Sequence, residues 1–235
     1  MNWKLLPPWL WALALLSLAP WSAAAQINVR IVDVRVGFPE GPAIDWYKPG
    51  TWAPVIVEIG TPARTGNEVE PLNADFEGMI TVSCVDGDGQ VATYRIAPVF
   101  LKRSEVSRTQ PTRAFMGYLR LGRTYSSVDV ALFDNQGQQV HSFTYPEDRR
   151  NATTSYSTPR DRFMLALGRA SGLAESEAVA IDGEGARGGA YTRSQFHTAR
   201  QTRLEALPQF WFGYEGIDTI VLTTGGNWSG GFVQS

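Results

Sequence analysis

A single cysteine, Cys84, stands in 235 residues. An intrachain disulfide is therefore excluded, as is a zinc site built from several thiolates. Only two histidines, His141 and His197, are present, which leaves little for a His-based metal cage. A basic excess is also missing: 21 Lys+Arg face 23 Asp+Glu, a formal net charge of −2. Nucleic-acid binders usually carry a basic excess or stripe, so no nucleic-acid partner is expected. What is plentiful is glycine (23), proline (14) and aromatic residues (11%). That mixture favours short strands joined by many turns. A 43% hydrophobic fraction excludes wholesale disorder, and the length suits one or two domains.

The first 25 residues read as a signal peptide. Lys4 is the only charge before Arg30, the run from Leu5 to Ala25 is apolar, and it ends in Ser22-Ala23-Ala24-Ala25. This is a basic start, a hydrophobic centre and a small-residue cleavage site. Pro7, Pro8 and Pro20 interrupt the run, which favours cleavage over a retained anchor. The mature chain would begin at Gln26. The expected location is exported, periplasmic or extracytoplasmic, with membrane contact only through the N-terminal segment if it stays uncleaved.

Residues 26–146 are expected to form an Ig-like antiparallel β-sandwich. Ile27, Val29 and Ile31 alternate with polar residues, then the phase slips and Val32, Val34 and Val36 continue. A one-residue slip in a period-two pattern marks a β-bulge or an edge strand that changes partners. Further strands are expected at 52–59, 79–85, 91–97, 114–121, 128–133 and 140–145, seven in all with the first. Asp86-Gly87-Asp88-Gly89 and Asp134-Asn135-Gln136-Gly137 are the turn signals between two of these pairs. Thr61 to Asp75 reads as a long loop, and no apolar stripe at helical spacing appears.

Residues 147–161 are polar and read as a linker. Beyond them the pattern changes. Phe163-Met164-Leu165-Ala166-Leu167 and Ile217 to Leu222 are continuous apolar runs, as in parallel strands buried on both faces. Ser171 to Val179 suits a short helix, and Ser194 to Ala206 suits a helix or a strand. Residues 162–235 thus read as an incomplete α/β domain. Its Gly-rich end offers no further element, so the chain reads as a fragment or a truncated reading frame.

Two motifs carry a resemblance. Tyr47-Lys48-Pro49-Gly50-Thr51-Trp52-Ala53-Pro54-Val55 and Leu207-Pro208-Gln209-Phe210-Trp211-Phe212-Gly213-Tyr214-Glu215-Gly216-Ile217-Asp218 resemble segments of large exported bacterial proteins of planctomycete type. Those proteins join an N-terminal β-sandwich to a domain similar to class I glutamine amidotransferases. The resemblance covers most of the mature chain and rests on structural motifs, none of them catalytic. It implies an amidotransferase-like α/β domain that continues beyond Leu222, often followed by a membrane span.

The residues offer little chemistry. A G-x-S-x-G elbow is absent. Cys84 lies mid-strand with no basic sequence neighbour and reads as a small buried hydrophobe. His141 and His197 fall in different expected domains and read as surface or hydrogen-bonded residues. Glu77, Asp86 and Asp88 gather near a turn, but a calcium loop would need a bidentate Glu where Ala97 stands. Gly183, Gly185 and Gly188 match a Gly-x-Gly-x-x-Gly spacing without the strand–helix context, so a flexible loop is expected. Trp46, Tyr47 and Trp52 bracket the Pro49-Gly50 turn and form a candidate ligand-binding rim. Leu207 to Tyr214 is similarly aromatic and reads as a plug for a domain core.

No catalytic, cofactor-binding or metal residue is therefore expected, and no cofactor. The leading expectation is a non-enzymatic exported module for protein–protein contact or scaffolding at the bacterial cell envelope. Its partner would be another protein or missing C-terminal domains. One alternative is a carbohydrate- or peptide-binding sandwich using the Trp46, Tyr47 and Trp52 rim. Another is the N-terminal part of an enzyme whose catalytic half is missing.

Overall fold

A computed structural model describes residues 27–40, 44–61, 70–106, 112–122, 127–145, 155–156, 161–168, 196–201 and 206–222. The protein is mainly β. Seven strands build the sandwich: β1 (Arg30–Val36), β4 (Trp52–Gly60), β5 (Phe76–Val85), β6 (Val91–Leu101), β7 (Thr112–Arg120), β8 (Val128–Asp134) and β9 (Gln139–Tyr145). One antiparallel sheet has the order β1-β4-β7, and the other β6-β5-β8-β9. Alternation decides which side chains face inward. In β4, Ala53, Val55, Val57 and Ile59 are buried, and in β5 Ile80, Val82 and Cys84 meet them from the other sheet.

The phase slip in the first strand is a bulge. Ile31 pairs with Ile59 and Asp33 with Glu58, so Val32 has no opposite residue and is exposed. The bulge lets residues on both sides of the slip bury their apolar members in one core. The two expected turns share one design. Asp86 Oδ1 accepts the N–H groups of Asp88 and Gln90, and Asp134 Oδ1 accepts those of Gln136 and Gln138. Gly89 and Gly137 take φ values of +79° and +78°, which only glycine adopts without strain. Asp86 thus organises a hairpin.

A small third sheet was not legible in the sequence. It joins β2 (Phe38–Glu40), β3 (Ile44–Tyr47) and β10 (Ser155–Tyr156) in the order β10-β3-β2. Ser155 and Tyr156, inside the segment expected as a linker, pair in parallel with Trp46 and Tyr47. The rest of that segment, apart from the buried Asp161, lies outside the described residues, as do the leader at 1–25, the expected helix at 171–179 and the glycine loop at 183–189.

A fourth sheet is fully parallel. β11 (Arg162–Leu167) lies between β12 (Phe196–Gln201) and β13 (Thr219–Leu222). The segment that suited either helix or strand is therefore a strand over Phe196–Gln201. Burial on both faces holds for the central strand, where Phe163, Leu165 and Ala166 are buried. It fails for β13, an outer strand of the sheet, where Ile220 and Leu222 are exposed. The described residues contain no α-helix, only a 3-10 turn at Trp211–Tyr214. No helix among them is long and apolar enough to cross a membrane.

Two cores result. The larger fills the sandwich. The smaller comprises Phe38, Phe163, Leu165 and Ala199, with Trp46, Leu207, Tyr214 and Ile217 packed against it.

Candidate functional site

The two aromatic motifs, far apart in sequence, clasp each other. The Lys48 ammonium sits 2.9 Å from Asp218 Oδ2. Asp218 Oδ2 also accepts the Phe163 N–H at 2.8 Å, and Asp218 N–H donates to the Phe163 carbonyl. Burial pushes the Asp218 carboxyl up, but the Phe163 N–H and Lys48 outweigh it and hold the group below the usual carboxylate range. Three residues earlier, the Glu215 carboxylate accepts the Trp52 backbone N–H at 2.9 Å. These bonds tie the first turn of the sandwich to the parallel sheet.

Tyr118 on β7 anchors the rest of the second motif. Its hydroxyl accepts the N–H groups of Gln209, at 2.7 Å, and Phe210, at 3.2 Å. Its ring meets Phe212 edge-on at 4.8 Å, and Phe212 in turn lies 5.6 Å from Trp52. Gly213 makes this approach possible. A Cβ there would lie 2.6 Å from both the Pro208 side chain and the Tyr118 ring, closer than real atoms pack.

The consequence is a division of labour within Phe210-Trp211-Phe212. Phe212 turns inward onto Trp52 and Tyr118. Phe210 and Trp211 turn outward and are 55% and 82% exposed. Phe210 remains stacked on Phe212, with ring planes 3° apart, so the outward pair stands on a fixed base. The stretch expected as a core plug thus turns Phe212 and Tyr214 inward and presents Phe210 and Trp211. Which ring does which could not be read from the sequence, because a 3-10 turn follows neither strand nor α-helical periodicity.

The candidate rim takes a different form from an open groove. Tyr47 is buried, 2% exposed. Trp46 is half-buried in the smaller core and stacks on His197 at 4.0 Å. Trp52 is half-buried and meets Tyr94 edge-on at 5.4 Å. Trp46 therefore serves the parallel sheet and Trp52 the Phe212 contact, so the three rings line no common face.

His197 Nε2 lies 3.6 Å from Asp161 Oδ2, beyond hydrogen-bond length, and both side chains are nearly buried. A His–Asp pair is the kind of arrangement that orients a catalytic base. Its position argues otherwise. Asp161 precedes β11 and His197 is the second residue of β12, so the pair sits at the N-terminal end of the parallel strands. Open parallel sheets place ligands beyond the carboxyl ends. His141 lies on β9, where burial and the nearby Arg30 charge hold its imidazole below the ordinary value. The structure keeps the two histidines in separate sheets.

Cys84 is buried and its thiol points at the Arg120 carbonyl, 3.6 Å away. Burial, with the Asp86 charge behind it, pushes the thiol up to about 11. At pH 8 the nucleophilic thiolate is then scarce. Folded protein should resist iodoacetamide at that pH, and urea-unfolded protein should be alkylated fully, as intact mass spectrometry would read. Rapid labelling of the folded chain would contradict this placement. No group of three or more His, Cys, Asp or Glu side chains suited to a metal ion occurs among the described residues.

No known protein family and no curated protein matches the chain. Among the solved structures with partial likeness are the following two. A β-glucuronidase from Bacteroides uniformis is 12% identical with a TM-score of 0.33, over 50% of this chain and 14% of that one. The sporulation control protein Spo0M from Bacillus subtilis is 14% identical with a TM-score of 0.25, over 48% of each chain. Neither likeness bears on function.

Proposed function

We propose that the protein is a non-enzymatic exported module that makes a protein–protein contact at the bacterial cell envelope, with Phe210 and Trp211 as its anchor. The exposed pair on a pinned turn is the observation that carries this reading. Trp is the residue most enriched among interface hot spots, and a rigid base lowers the ordering cost of binding. The exposed Ile220 and Leu222 on β13 add apolar surface in the same C-terminal portion. The leader pattern and the resemblance to exported planctomycete-type proteins support the envelope setting. Sugar or peptide binding at Trp46, Tyr47 and Trp52 draws no support from a buried Tyr47.

The test is capture from envelope fractions, followed by affinity measurement with the purified partner. Trp211→Ala should weaken that partner by about 30-fold, the size of a typical ~2 kcal/mol hot spot. Its thermal midpoint should stay unchanged, since the side chain is mostly solvated. Equal affinity of the variant and the parent would overturn the assignment.

A further inference from the structure

A groove of about 770 Å³ crosses one end of the four-stranded sheet. It is lined by the end of β6, the start of β5, the β8–β9 turn and the start of β9. We propose that this groove binds a neutral oligosaccharide, with Phe100 as the platform for a sugar ring. The site is remote in sequence from Trp211 and stands or falls independently of the protein contact there.

The volume lies within the range of small-molecule sites, ~300–1,000 Å³. Phe100 is a large apolar side chain left 45% exposed at this groove. Its direct cross-strand partner is Glu77, so ring and carboxylate share one face of the sheet. An exposed ring beside a planar acceptor suits a pyranose, whose C–H face packs on the ring while its hydroxyls bond outward.

The polar lining then selects among ligands. Carboxylates come from Asp75, Glu77 and Asp134, and carboxamides from Asn135, Gln136, Gln138 and Gln139. Lys102 is the one cationic side chain among the described lining residues. Three carboxylates against one ammonium repel phosphates and uronates. A cationic ligand fits poorly too. It only donates hydrogen bonds, so it would face the Lys102 ammonium as a like charge and leave the NH₂ ends of the four carboxamides unused. Asp75 Oδ1 is engaged by the Arg103 N–H, and Asp134 Oδ1 by two turn N–H groups, which temper those charges. Hydroxyls donate and accept, so they satisfy amides, carboxylates and ammonium together. The groove runs across the ends of the strands, so its lining spans β6, β5, the β8–β9 turn and β9 and does not follow one strand.

The experiment is calorimetric titration of the full chain with cellohexaose, xylohexaose and N-acetylchitohexaose, and with hexalysine as the cationic probe, at low and high salt. At least one sugar should bind, with an affinity insensitive to salt, because no net charge is exchanged. Phe100→Ala should weaken that sugar by tenfold or more, Phe100→Tyr should keep it, and Glu77→Gln should weaken it severalfold. Circular dichroism would confirm that each variant is folded, and Phe100→Tyr with Glu77→Gln keeps the test decisive if the Ala variant is not. Binding of none of the three sugars would overturn the proposal. So would sugar binding untouched by Phe100→Ala, or binding of hexalysine alone that disappears in high salt.

Discussion

Phe163→Ala should unfold the parallel sheet and leave the sandwich folded. Phe163 is 1% exposed at the centre of the smaller core. Its ring meets Phe38 edge-on at 5.8 Å and Trp46 at 6.4 Å. Removing a buried Phe costs about 3–5 kcal/mol, from lost transfer energy and the cavity left behind. With only four buried members of this core among the described residues, that loss falls on a small cluster. The sandwich core is separate and far larger, so it has its own source of stability. Hydrogen exchange read by mass spectrometry should show protection lost at 162–167, 196–201 and 219–222. Strands 76–85 and 128–134 should keep theirs. Uniform loss across both sets would mean that the two cores unfold as one cooperative unit.

The second large effect is expected at Asp45, which is 3% exposed on β3. Its Oδ1 accepts Arg35 Nε at 2.6 Å and a second guanidinium nitrogen at 2.5 Å. Its Oδ2 accepts the Tyr145 hydroxyl at 2.9 Å and the Val36 N–H at 3.3 Å. One carboxylate therefore joins β1 of the three-stranded sheet, β9 of the four-stranded sheet and the small sheet between them. Burial alone lowers the Arg35 value, but the Asp45 bond and charge outweigh it, so the guanidinium is held charged. Asp45→Ala removes the carboxylate that pairs with a partly buried cation and accepts from a phenol. The expected loss is about 3–5 kcal/mol, the range for breaking a buried pair from one side. Urea unfolding should show a lower midpoint. Asp45→Asn keeps an acceptor for Tyr145 and should fall between the two. A midpoint unchanged in the Ala variant would show that the cluster contributes no net stability.

Much of the sandwich was legible because its signals are local. The slip at Val32 is a change of phase between adjacent residues. The Asp86 and Asp134 turns each need one carboxylate and one glycine at set offsets. The parallel sheet was legible in part, since the run at 163–167 is apolar throughout. Its edge departs from that pattern: Ile220 and Leu222 have the composition of buried residues and stand exposed. The small sheet leaves no sequence signal because β2, β3 and β10 are each too short to show a period. The expected rim failed to form one surface for a related reason. Proximity to a turn does not tell which way a ring points once another segment docks there.

Residues close in sequence were enough for the β character, the seven sandwich strands, the phase slip at Val32 and the two aspartate turns, since each depends on neighbours within a few positions. Composition was enough for what is scarce, thiols and imidazoles above all. Only the tertiary structure decided the clasp between residues 47–55 and 207–218, the burial of Asp45, and the groove around Phe100. It likewise decided that Phe212 faces inward while Phe210 and Trp211 face out. These features arise where distant segments meet. Their energies come from desolvation and packing between surfaces, and no single segment carries that information alone.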